Sequence, residues 1–392
     1  MKSYNELIKS RNIPQLFLFG MYRSGTTVLA RSLAGDSKIA FVSDPIRPFF
    51  NWYRTKLQRQ VNPFGFEDNS RPLGDYFNSD KEYITKLLRS NFSETISLLE
   101  LSLIRKTIID QSLDYSPKFV NSLKKSTKVI SSCYADELKH YLSLIMLTYG
   151  NSDTRLLGLK EVWSIEMAFP IINMLGKSAK ILVVLRDPLD IAASSIAGTG
   201  NYSILTLARQ WRKQIVFYNL LKTMYPSQVT SIKYEDFCTD PINKLKNSFK
   251  KLFSFSNNFF SKKLKPVDDS GNAWLKNSSH LFNYLTKEID KESLGKYKKI
   301  LKNNEIEWLR YLTYMQSYVE YNSSNKTPSK PTSSFPKRNI SHIADWAKLD
   351  MTKIEGKNLK NELQSEFNRI RMINSMEVGK KEMKENSIVS QI

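Results

Sequence analysis

Cysteine and histidine are scarce in this sequence, and their scarcity excludes several kinds of site. The 392 residues include two cysteines, Cys133 and Cys238, and three histidines, His140, His280 and His342. Neither cysteine has a second cysteine or a histidine at metal-ligand spacing, so no zinc site is expected. Two cysteines in so long a chain give no disulfide framework, which favours a reducing compartment.

Long apolar runs are also absent. No stretch of about 18 apolar residues occurs, so no membrane-spanning helix is expected. The N-terminal segment MKSYNELIKSRNIPQLFLFG has a short apolar run that leads into a glycine loop, unlike a signal peptide with its cleavage site. These absences predict a cytoplasmic protein without the N-terminal anchor of a type II Golgi enzyme.

Acidic residues are in the minority. Lys and Arg number 59 against 38 Asp and Glu, which gives a formal net charge of +21. Such a charge suits an anionic partner, such as nucleic acid, anionic lipid or a phosphorylated substrate. The lysines are spread along the chain, however, so a compositional bias without functional meaning explains the charge equally well.

Strand and helix signals alternate along the chain and predict an α/β fold with a parallel sheet flanked by helices. Short apolar runs predict strands at 15–19, 38–44, 155–162, 179–185 and 229–234. Helical periodicity predicts a helical insertion at about 70–150. The predicted organisation is a domain over 1–321, a Ser- and Pro-rich linker at 322–338 and a helical or disordered C-terminal extension at 339–392.

The segment GMYRSGTT, residues 20–27, has the outline of a phosphate-binding loop between a strand and a helix. Thr26 occupies the position of the lysine that would reach the β- and γ-phosphates of a nucleoside triphosphate. Backbone N–H groups at a helix N-terminus still bind an oxyanion. Arg23 and the nearby hydroxyl groups therefore favour a shorter anionic tail, such as a 5′-phosphosulfate; a chance glycine turn is the alternative.

A second anion site is indicated where the most apolar strand, AKILVVL, ends. Arg186 follows this strand, and Ser194 lies eight residues later on the helix that begins with Pro188. An arginine and a serine together at the carboxyl edge of a sheet can bind a phosphate. A local ion pair between Arg186 and Asp187 is the alternative. Taken together, the two sites fit a nucleotide with separate 5′ and 3′ anionic groups.

These segments resemble motifs of the sulfotransferase superfamily. GMYRSGTTVLARSL is similar to its 5′-phosphosulfate loop, and VLRDPLDIAASS is similar to its 3′-phosphate motif. Weaker similarities follow in order at LARQWRKQI, IKYEDFCTDP and SGNAWLKNSS. The resemblance implies a P-loop NTPase-like fold, a sulfotransferase domain over 1–321, and 3′-phosphoadenosine 5′-phosphosulfate (PAPS) as cofactor, with the 3′,5′-bisphosphate (PAP) as product and no metal.

The resemblance also implies roles for individual residues. Those that would hold the 5′-phosphosulfate are Arg23, Ser24, Gly25, Thr26 and Thr27. Those that would hold the 3′-phosphate are Arg186 and Ser194. Three further residues would close over the nucleotide, unless their segment is a plain surface loop: Lys276, Asn277 and Ser278.

The catalytic base is open between two carboxylates. Cytosolic small-molecule sulfotransferases use a histidine at the place that here reads Lys160-Glu161-Val162, whereas glycan-sulfating members use a glutamate where this chain has Asp44. Asp44 is the favoured base, Glu161 its rival, and Lys160 a cation near the transferred group. A structural ion pair between Lys160 and Glu161 is the alternative interpretation.

The expected activity is in-line transfer of a sulfuryl group to an acceptor hydroxyl, with Arg23 and the loop N–H groups stabilising charge on the leaving phosphate. The resemblance of the base position and the motifs to those of glycan-sulfating members implies a carbohydrate or glycoconjugate acceptor, and no nucleic-acid partner is expected. A P-loop kinase is the first alternative, which Thr26 disfavours. A non-enzymatic nucleic-acid-binding protein, suggested by charge alone, is the second. PFFNWYR, at 48–54, is expected to fill the core rather than stack on a sugar, and His140 to be a partly exposed helix residue.

Overall fold

The computed structural model describes residues 4–61, 81–126, 128–198, 204–253, 265–274, 289 and 291–313. These residues form two compact units, which are described separately. The first contains the described parts of Met1–Pro72, Glu82–Arg186 and Phe217–Lys291. The second contains those of Leu73–Lys81, Asp187–Val216 and Glu292–Ile392.

The first unit contains a parallel sheet of five strands in the order β2-β3-β1-β4-β5. The strands are β1 (Gln15–Gly20), β2 (Ile39–Ser43), β3 (Leu156–Val162), β4 (Ala179–Leu185) and β5 (Val229–Lys233). All the strands predicted from the sequence are present within one residue of their predicted bounds. This confirms the predicted α/β fold with a parallel sheet flanked by helices.

The strands are apolar because the sheet is covered on both faces. Every residue of β1 is buried, and β4 is buried except for Lys180. The register aligns the strand ends: Gly20 lies opposite Val162 of β3 and Val184 of β4, and Ser43 lies opposite Lys160. The loops that follow the strands therefore begin at a common edge.

The helices follow the strand and helix alternation of the sequence. They are α1 (Thr26–Ala34), α2 (Arg47–Val61), α3 (Lys81–Arg89), α4 (Leu98–Ser112), α5 (Pro117–Lys125), α6 (Tyr134–Tyr149), α7 (Ala168–Leu175), α8 (Pro188–Ile196), α9 (Ile204–Met224), α10 (Tyr234–Thr239), α11 (Pro241–Leu252), α12 (Tyr297–Ile300) and α13 (Asn303–Leu312). From β1 the chain crosses to β2 at one edge of the sheet. From β2 it returns in the opposite direction across the sheet, first to β3 and then to β4. Because such crossovers are right-handed, α1 covers one face of the sheet, and α6 and α7 cover the other.

Helices α3 to α6 occupy the described part of the predicted helical insertion. An aromatic cluster joins α2 to α6: the ring of Phe49 lies 5.4 Å from those of Tyr134 and Tyr141, and the ring of Tyr53 lies 4.3 Å from that of Phe92. All these rings are buried. Phe49, Phe50 and Tyr53 of PFFNWYR therefore fill the core, as the sequence predicted, whereas Trp52 is half-buried.

A buried ion pair ties α4 to α6. Arg105 donates two hydrogen bonds to the carboxylate of Glu137, at 2.8 and 2.7 Å, and a third to the carbonyl of Val129. The hydroxyl of Ser131 also donates to Glu137. Burial alone would raise the pKa of Glu137, but the hydrogen bonds and charge of Arg105 outweigh burial and lower it. The carboxylate thus stays charged and fixes the two helices together.

The expectation of a partly exposed His140 was wrong. The ring lies in the interior, 6% exposed, with Nε2 3.1 Å from the hydroxyl of Ser126. Burial lowers its pKa to about 4, so the imidazole is neutral at pH 7. The periodicity of α6 did not reveal that this face of the helix packs against α5.

The second unit contains α8, the first part of α9, α12 and α13. Asp187 caps α8 by accepting from the N–H of Leu189, and Pro188 stands in the first turn as predicted. Asp190, which is buried, accepts from the N–H groups of Gly295 (2.8 Å) and Tyr297 (3.2 Å). These bonds join α8 to the chain that leads into α12.

The predicted boundaries of the linker and the C-terminal extension lie outside the described residues, so the domain organisation stays a prediction. None of the described helices combines the length and apolar character needed to cross a bilayer.

We expect Arg105→Ala to lower the free energy of unfolding by about 3–5 kcal/mol, because it leaves the charge of Glu137 buried without its partner. Urea denaturation at pH 7 measures the change. The stabilising effect of the pair is present above the unfolded-state pKa of Glu137, and it is lost as the pH falls through the lowered folded-state pKa.

Lys139→Ala is the matched control on α6. Lys139 pairs with Asp136 at 3.9 Å in an exposed position. A change below about 0.5 kcal/mol is expected for such a surface pair. Equal effects of the two substitutions would contradict the importance assigned to the buried pair.

Candidate active site

Polar and aromatic side chains follow all five strands at the carboxyl edge of the sheet. They are Arg23 after β1, Asp44 after β2, Trp163 after β3, Arg186 after β4 and Tyr234 after β5. The chain leaves β1 toward one face of the sheet and leaves β3 toward the other. Such a switch opens a crevice at the carboxyl ends of adjacent strands, where ligands bind in open α/β sheets.

Three of these residues have left-handed backbone conformations although none is glycine. The φ angles are 64° at Arg23, 54° at Asp44 and 68° at Trp163. Hydrogen bonds hold two of them: the N–H of Asp44 donates to the carbonyl of Lys160 at 2.7 Å, and the N–H of Trp163 donates to the carbonyl of Gly20 at 3.1 Å. Backbone strain of this kind clusters at functional sites.

The loop after β1 presents the N-terminus of α1. Gly25 is the N-cap residue with a φ of 86°, and no acidic residue lies in the first turn. The first N–H groups of a helix have no partner within it and attract an anion. Ser24 shapes the turn, because its N–H and its hydroxyl both donate to the carbonyl of Met21, at 3.0 and 2.6 Å.

Close packing explains both glycines of the loop. A Cβ atom at Gly25 would overlap with the ring of Tyr234, and one at Gly20 would overlap with the side chain of Thr26. The first residue of α10 therefore lies directly against the loop. This contact fixes the loop from the side of β5.

Each of the two predicted arginines stacks on a tyrosine. The guanidinium carbon of Arg23 lies 4.6 Å from the ring centroid of Tyr22. The rings of Tyr22 and Trp163 are nearly perpendicular, with centroids 5.8 Å apart. The guanidinium carbon of Arg186 lies 4.5 Å from the ring centroid of Tyr234. Arg186 also donates a hydrogen bond of 2.7 Å from Nη1 to the carbonyl of Arg23. The two arginines predicted to bind the two ends of one nucleotide are therefore in contact.

Burial lowers the pKa of Arg23, and the neighbouring charge of Arg186 lowers it further. Both side chains are buried. An anion bound beside them would offset this repulsion, since an opposite charge favours the charged form of each guanidinium.

Lys160 connects the loop to Asp44. Its ammonium group lies 3.3 Å from Oγ1 of Thr27 and forms a short ion pair with Oδ2 of Asp44. Lys160 is almost fully buried, whereas the side chain of Asp44 remains 17% exposed. The lysine missing from the loop sequence is thus matched by a lysine from β3. The hydroxyl of Ser43 also donates to Oδ2 of Asp44, at 3.1 Å.

Glu161 differs from Asp44 in its environment. Its side chain is fully buried, and Oε1 accepts a 2.6 Å hydrogen bond from the N–H of Ile46. Burial, followed by the negative charge of Asp44, raises its pKa well above the ordinary value. Lys160 pairs with Asp44, and the geometry therefore does not support the predicted alternative of an ion pair between Lys160 and Glu161.

The end of α4 reaches this edge of the sheet. The hydroxyl of Ser112 donates to the carbonyl of Pro45 at 3.0 Å, and Arg47 donates to Gln111 at 3.4 Å. Tyr115, just beyond the helix, accepts at its carbonyl from Arg31 of α1 at 2.9 Å. The helical segment thus forms one side of the crevice near Asp44.

A sequence comparison decides the family. The model of the sulfotransferase family matches residues 14–252, which include every strand of the sheet. The chain belongs to the sulfotransferase family. No curated protein gives a significant match.

Solved structures of sulfotransferases resemble this chain weakly. A sulfotransferase domain from the curacin biosynthetic pathway is 15% identical, covers 76% of this chain and 95% of its own, and has a TM-score of 0.38. The sulfotransferase domain of the Synechococcus PCC 7002 olefin synthase is 16% identical, with coverages of 77% and 94% and a TM-score of 0.39. Retinol dehydratase in complex with androsterone and inactive cofactor PAP is 11% identical, with coverages of 84% and 88% and a TM-score of 0.31.

The remaining predicted residues of this sulfotransferase are placed as follows. Ser194 is half-buried near the end of α8, in the second compact unit, so its pairing with Arg186 stays a prediction. Lys276, Asn277 and Ser278 lie outside the described residues. Among the residues that the structure describes, no group of three or more His, Cys, Asp or Glu side chains is arranged to hold a metal ion.

Three aromatic residues of the candidate site were not predicted from the motifs: Tyr22, Trp163 and Tyr234. Tyr22 and Trp163 stand beside recognised motif residues in the sequence, and Tyr234 opens the recognised segment YEDF. Their positions were therefore visible, but the contact of Trp163 with Tyr22 and those of Tyr234 with Arg186 and Gly25 depend on pairing between distant strands.

We expect Gly25→Ala to destabilise this sulfotransferase much more than Gly271→Ala. Both glycines have positive φ angles, 86° and 88°, but nothing lies within 4 Å of a Cβ at Gly271. The control substitution should cost about 1–2 kcal/mol from left-handed strain alone. Gly25→Ala adds the overlap with Tyr234. Urea denaturation of both variants measures the difference, and equal losses would contradict the close packing at Gly25.

Proposed function

We propose that this sulfotransferase moves the sulfuryl group of PAPS to an acceptor hydroxyl on a carbohydrate or glycoconjugate, with Asp44 as base. One observation carries the proposal: Lys160 links the helix-capped loop at Thr27 to the partly exposed carboxylate of Asp44. An anion site and a base therefore meet at one edge of the sheet. When bound, PAPS supplies the sulfuryl group and a phosphate leaving group.

The residues around the loop fit the 5′-phosphosulfate. The N-terminus of α1 supplies N–H donors, and Arg23 and Lys160 supply positive charge at the same place. A sulfuryl group carries less charge than a phosphoryl group, so these donors suffice without a metal ion. We assign Thr26 and Thr27 to the same anion, and Ser24 and Gly25 to the shape of the turn.

Arg186 is the proposed partner of the 3′-phosphate. It is stacked on Tyr234 and bonded to the carbonyl of Arg23, so its guanidinium is held in one orientation. A planar guanidinium fixed in this way is suited to bidentate phosphate binding. Ser194, Lys276, Asn277 and Ser278 stay predictions from the sequence.

The proposed mechanism gives separate roles to Arg23, Lys160 and Asp44. Arg23 and the N–H groups of α1 stabilise negative charge that develops on the leaving phosphate. Lys160, shared between Thr27 and Asp44, is drawn toward the bound anion. The carboxylate of Asp44 then accepts the proton of the attacking hydroxyl. Glu161 is the weaker candidate for this base because its carboxyl group is fully buried.

Donor binding should depend on Arg23. At about 100 times its Kd, a ligand stabilises the folded protein by about 2.7 kcal/mol. We expect PAP to raise the melting temperature of the wild type, and ATP with Mg²⁺ to raise it less. Arg23→Ala should remove the PAP-induced increase. Differential scanning fluorimetry measures all three effects.

Arg155→Ala is the charge-matched control, because Arg155 is exposed and lies just before β3 at the opposite edge of the sheet. It should retain the PAP-induced shift. A larger shift with ATP and Mg²⁺ than with PAP would favour the kinase alternative. The same loss in both arginine variants would indicate a nonspecific effect of net charge.

Turnover should depend on Asp44. We expect Asp44→Asn to keep the PAP-induced shift but to lower kcat by about 10²–10⁴-fold, since general base catalysis contributes about that much. Transfer of radiolabelled sulfate to a panel of carbohydrate, phenolic and steroid acceptors measures activity. Full activity in Asp44→Asn would exclude Asp44 as the base, and transfer only to non-carbohydrate acceptors would exclude the proposed substrate class.

A further inference from the structure

The turn that carries Asp44 is held by two consecutive residues of β3. The N–H of Asp44 donates to the backbone carbonyl of Lys160 at 2.7 Å, and the N–H of Ile46 donates to Oε1 of Glu161 at 2.6 Å. Between them stands Pro45, which has no N–H. The two backbone N–H groups of the turn are therefore both bonded to β3, one through the main chain and one through a side chain.

This turn needs such support because its backbone is strained. Asp44 has a φ of 54°, which a non-glycine residue adopts at a cost. The hydroxyl of Ser112 adds a third bond, to the carbonyl of Pro45. The position of the Asp44 carboxylate relative to Lys160 thus depends on the bonds that fix the turn, and the bond from Ile46 depends on the side chain of Glu161.

The environment of Glu161 favours the neutral form of its carboxyl group. Burial is the main cause that raises its pKa, and the charge of Asp44 raises it further. The N–H of Ile46 and the charges of Lys160 and Arg47 act in the opposite direction and are outweighed. Its second oxygen, Oε2, is buried and has no hydrogen-bond partner among the described residues. A carboxylate in this position would bury a negative charge with one hydrogen-bond donor, the N–H of Ile46, among the described residues, which costs more than burying the neutral acid.

We propose that Glu161 is a positioning residue whose side chain, as acceptor for the N–H of Ile46, holds the Asp44 turn and thereby aligns the base with Lys160 and the anion loop. In this role Glu161 is protonated at pH 7. The inference rests on the proposed role of Asp44. A positioning role differs from that of a general base, because no proton passes to or from Glu161 during turnover.

Two substitutions separate this role from catalysis. Glu161→Gln has the shape of the protonated acid and keeps an oxygen that accepts from Ile46. Its kcat should stay within about threefold of the wild type, with the acid limb of the pH–rate profile unchanged. Glu161→Leu fills a similar volume but removes the acceptor. Its kcat should fall at least about tenfold, while the donor KM and the PAP-induced melting shift are retained.

An infrared difference spectrum tests the protonation of Glu161 independently of activity. The spectrum of the wild type minus that of Glu161→Gln should contain the C=O stretch of a protonated carboxyl group at pH 7. The signal does not require the protein to transfer sulfate. A protein that shows this signal without sulfotransferase activity would retain the neutral Glu161 while losing the proposed function, so the two failures are distinguishable.

Three results would overturn the inference. The first is a loss of kcat in Glu161→Gln as large as in Asp44→Asn, which would make Glu161 the base. The second is wild-type kcat in a folded Glu161→Leu protein, which would show that the bond to Ile46 positions nothing. The third is a carboxylate rather than a protonated carboxyl signal for Glu161 at pH 7. If Glu161→Leu does not fold, the kcat of Glu161→Gln and the infrared signal still test whether Glu161 is the base and whether it is protonated.

Discussion

The candidate active site depends on the central position of β1 between β3 and β4, with the strand ends in register. Because all five strands are parallel, their carboxyl ends meet at one edge, and the loops after neighbouring strands begin about 5 Å apart. A shift in register by one residue would move Lys160 to the other face of the sheet, since side chains alternate along a strand. The ion pair with Asp44 and the contact with Thr27 would then both be lost.

Positive charge is concentrated at this edge in a buried environment. Arg23, Arg186 and Lys160 are all buried, and a desolvated cation is held there at an energetic cost. Stacking on Tyr22 and Tyr234 keeps the two guanidinium groups ordered, and Lys160 pairs with Asp44. Burial raises the pKa of Glu161, which disfavours a second negative charge beside the proposed anion site. Burial of these three cations lowers the stability of the folded protein, but it would also strengthen their attraction to a bound anion, because low local dielectric strengthens charge interactions.

Strain and tight packing make the same edge rigid. Arg23, Asp44 and Trp163 have left-handed backbones, and Gly25 is pressed against Tyr234. Conformations of this kind persist when surrounding bonds determine them, as the ladder bonds to Lys160 and Gly20 do here. Groups that are already oriented do not need to reorganise when charge develops, which is the physical basis of electrostatic catalysis.

The sequence alone determined the strands, the glycine loop between β1 and α1 and the arginine after β4. Apolar runs of strand length mark a buried parallel sheet, and the glycine spacing of the loop reflects local backbone requirements. These signals are local, and therefore a single sequence contains them. The sequence also predicted the burial of Phe49, Phe50 and Tyr53, because a dense aromatic segment buries much apolar area.

Only the tertiary structure decided which distant residues meet. Lys160 reaches Thr27 because β3 pairs with β1, and Tyr234 packs on Gly25 because β5 lies beside β4. The burial of His140 and of Glu161 likewise comes from elements remote in sequence, so the pattern around His140 led to a wrong expectation. Protonation, ion pairing and stacking depend on distance and desolvation. Distance and desolvation are set by how the strands and helices pack. The sequence of a single strand or helix does not specify them.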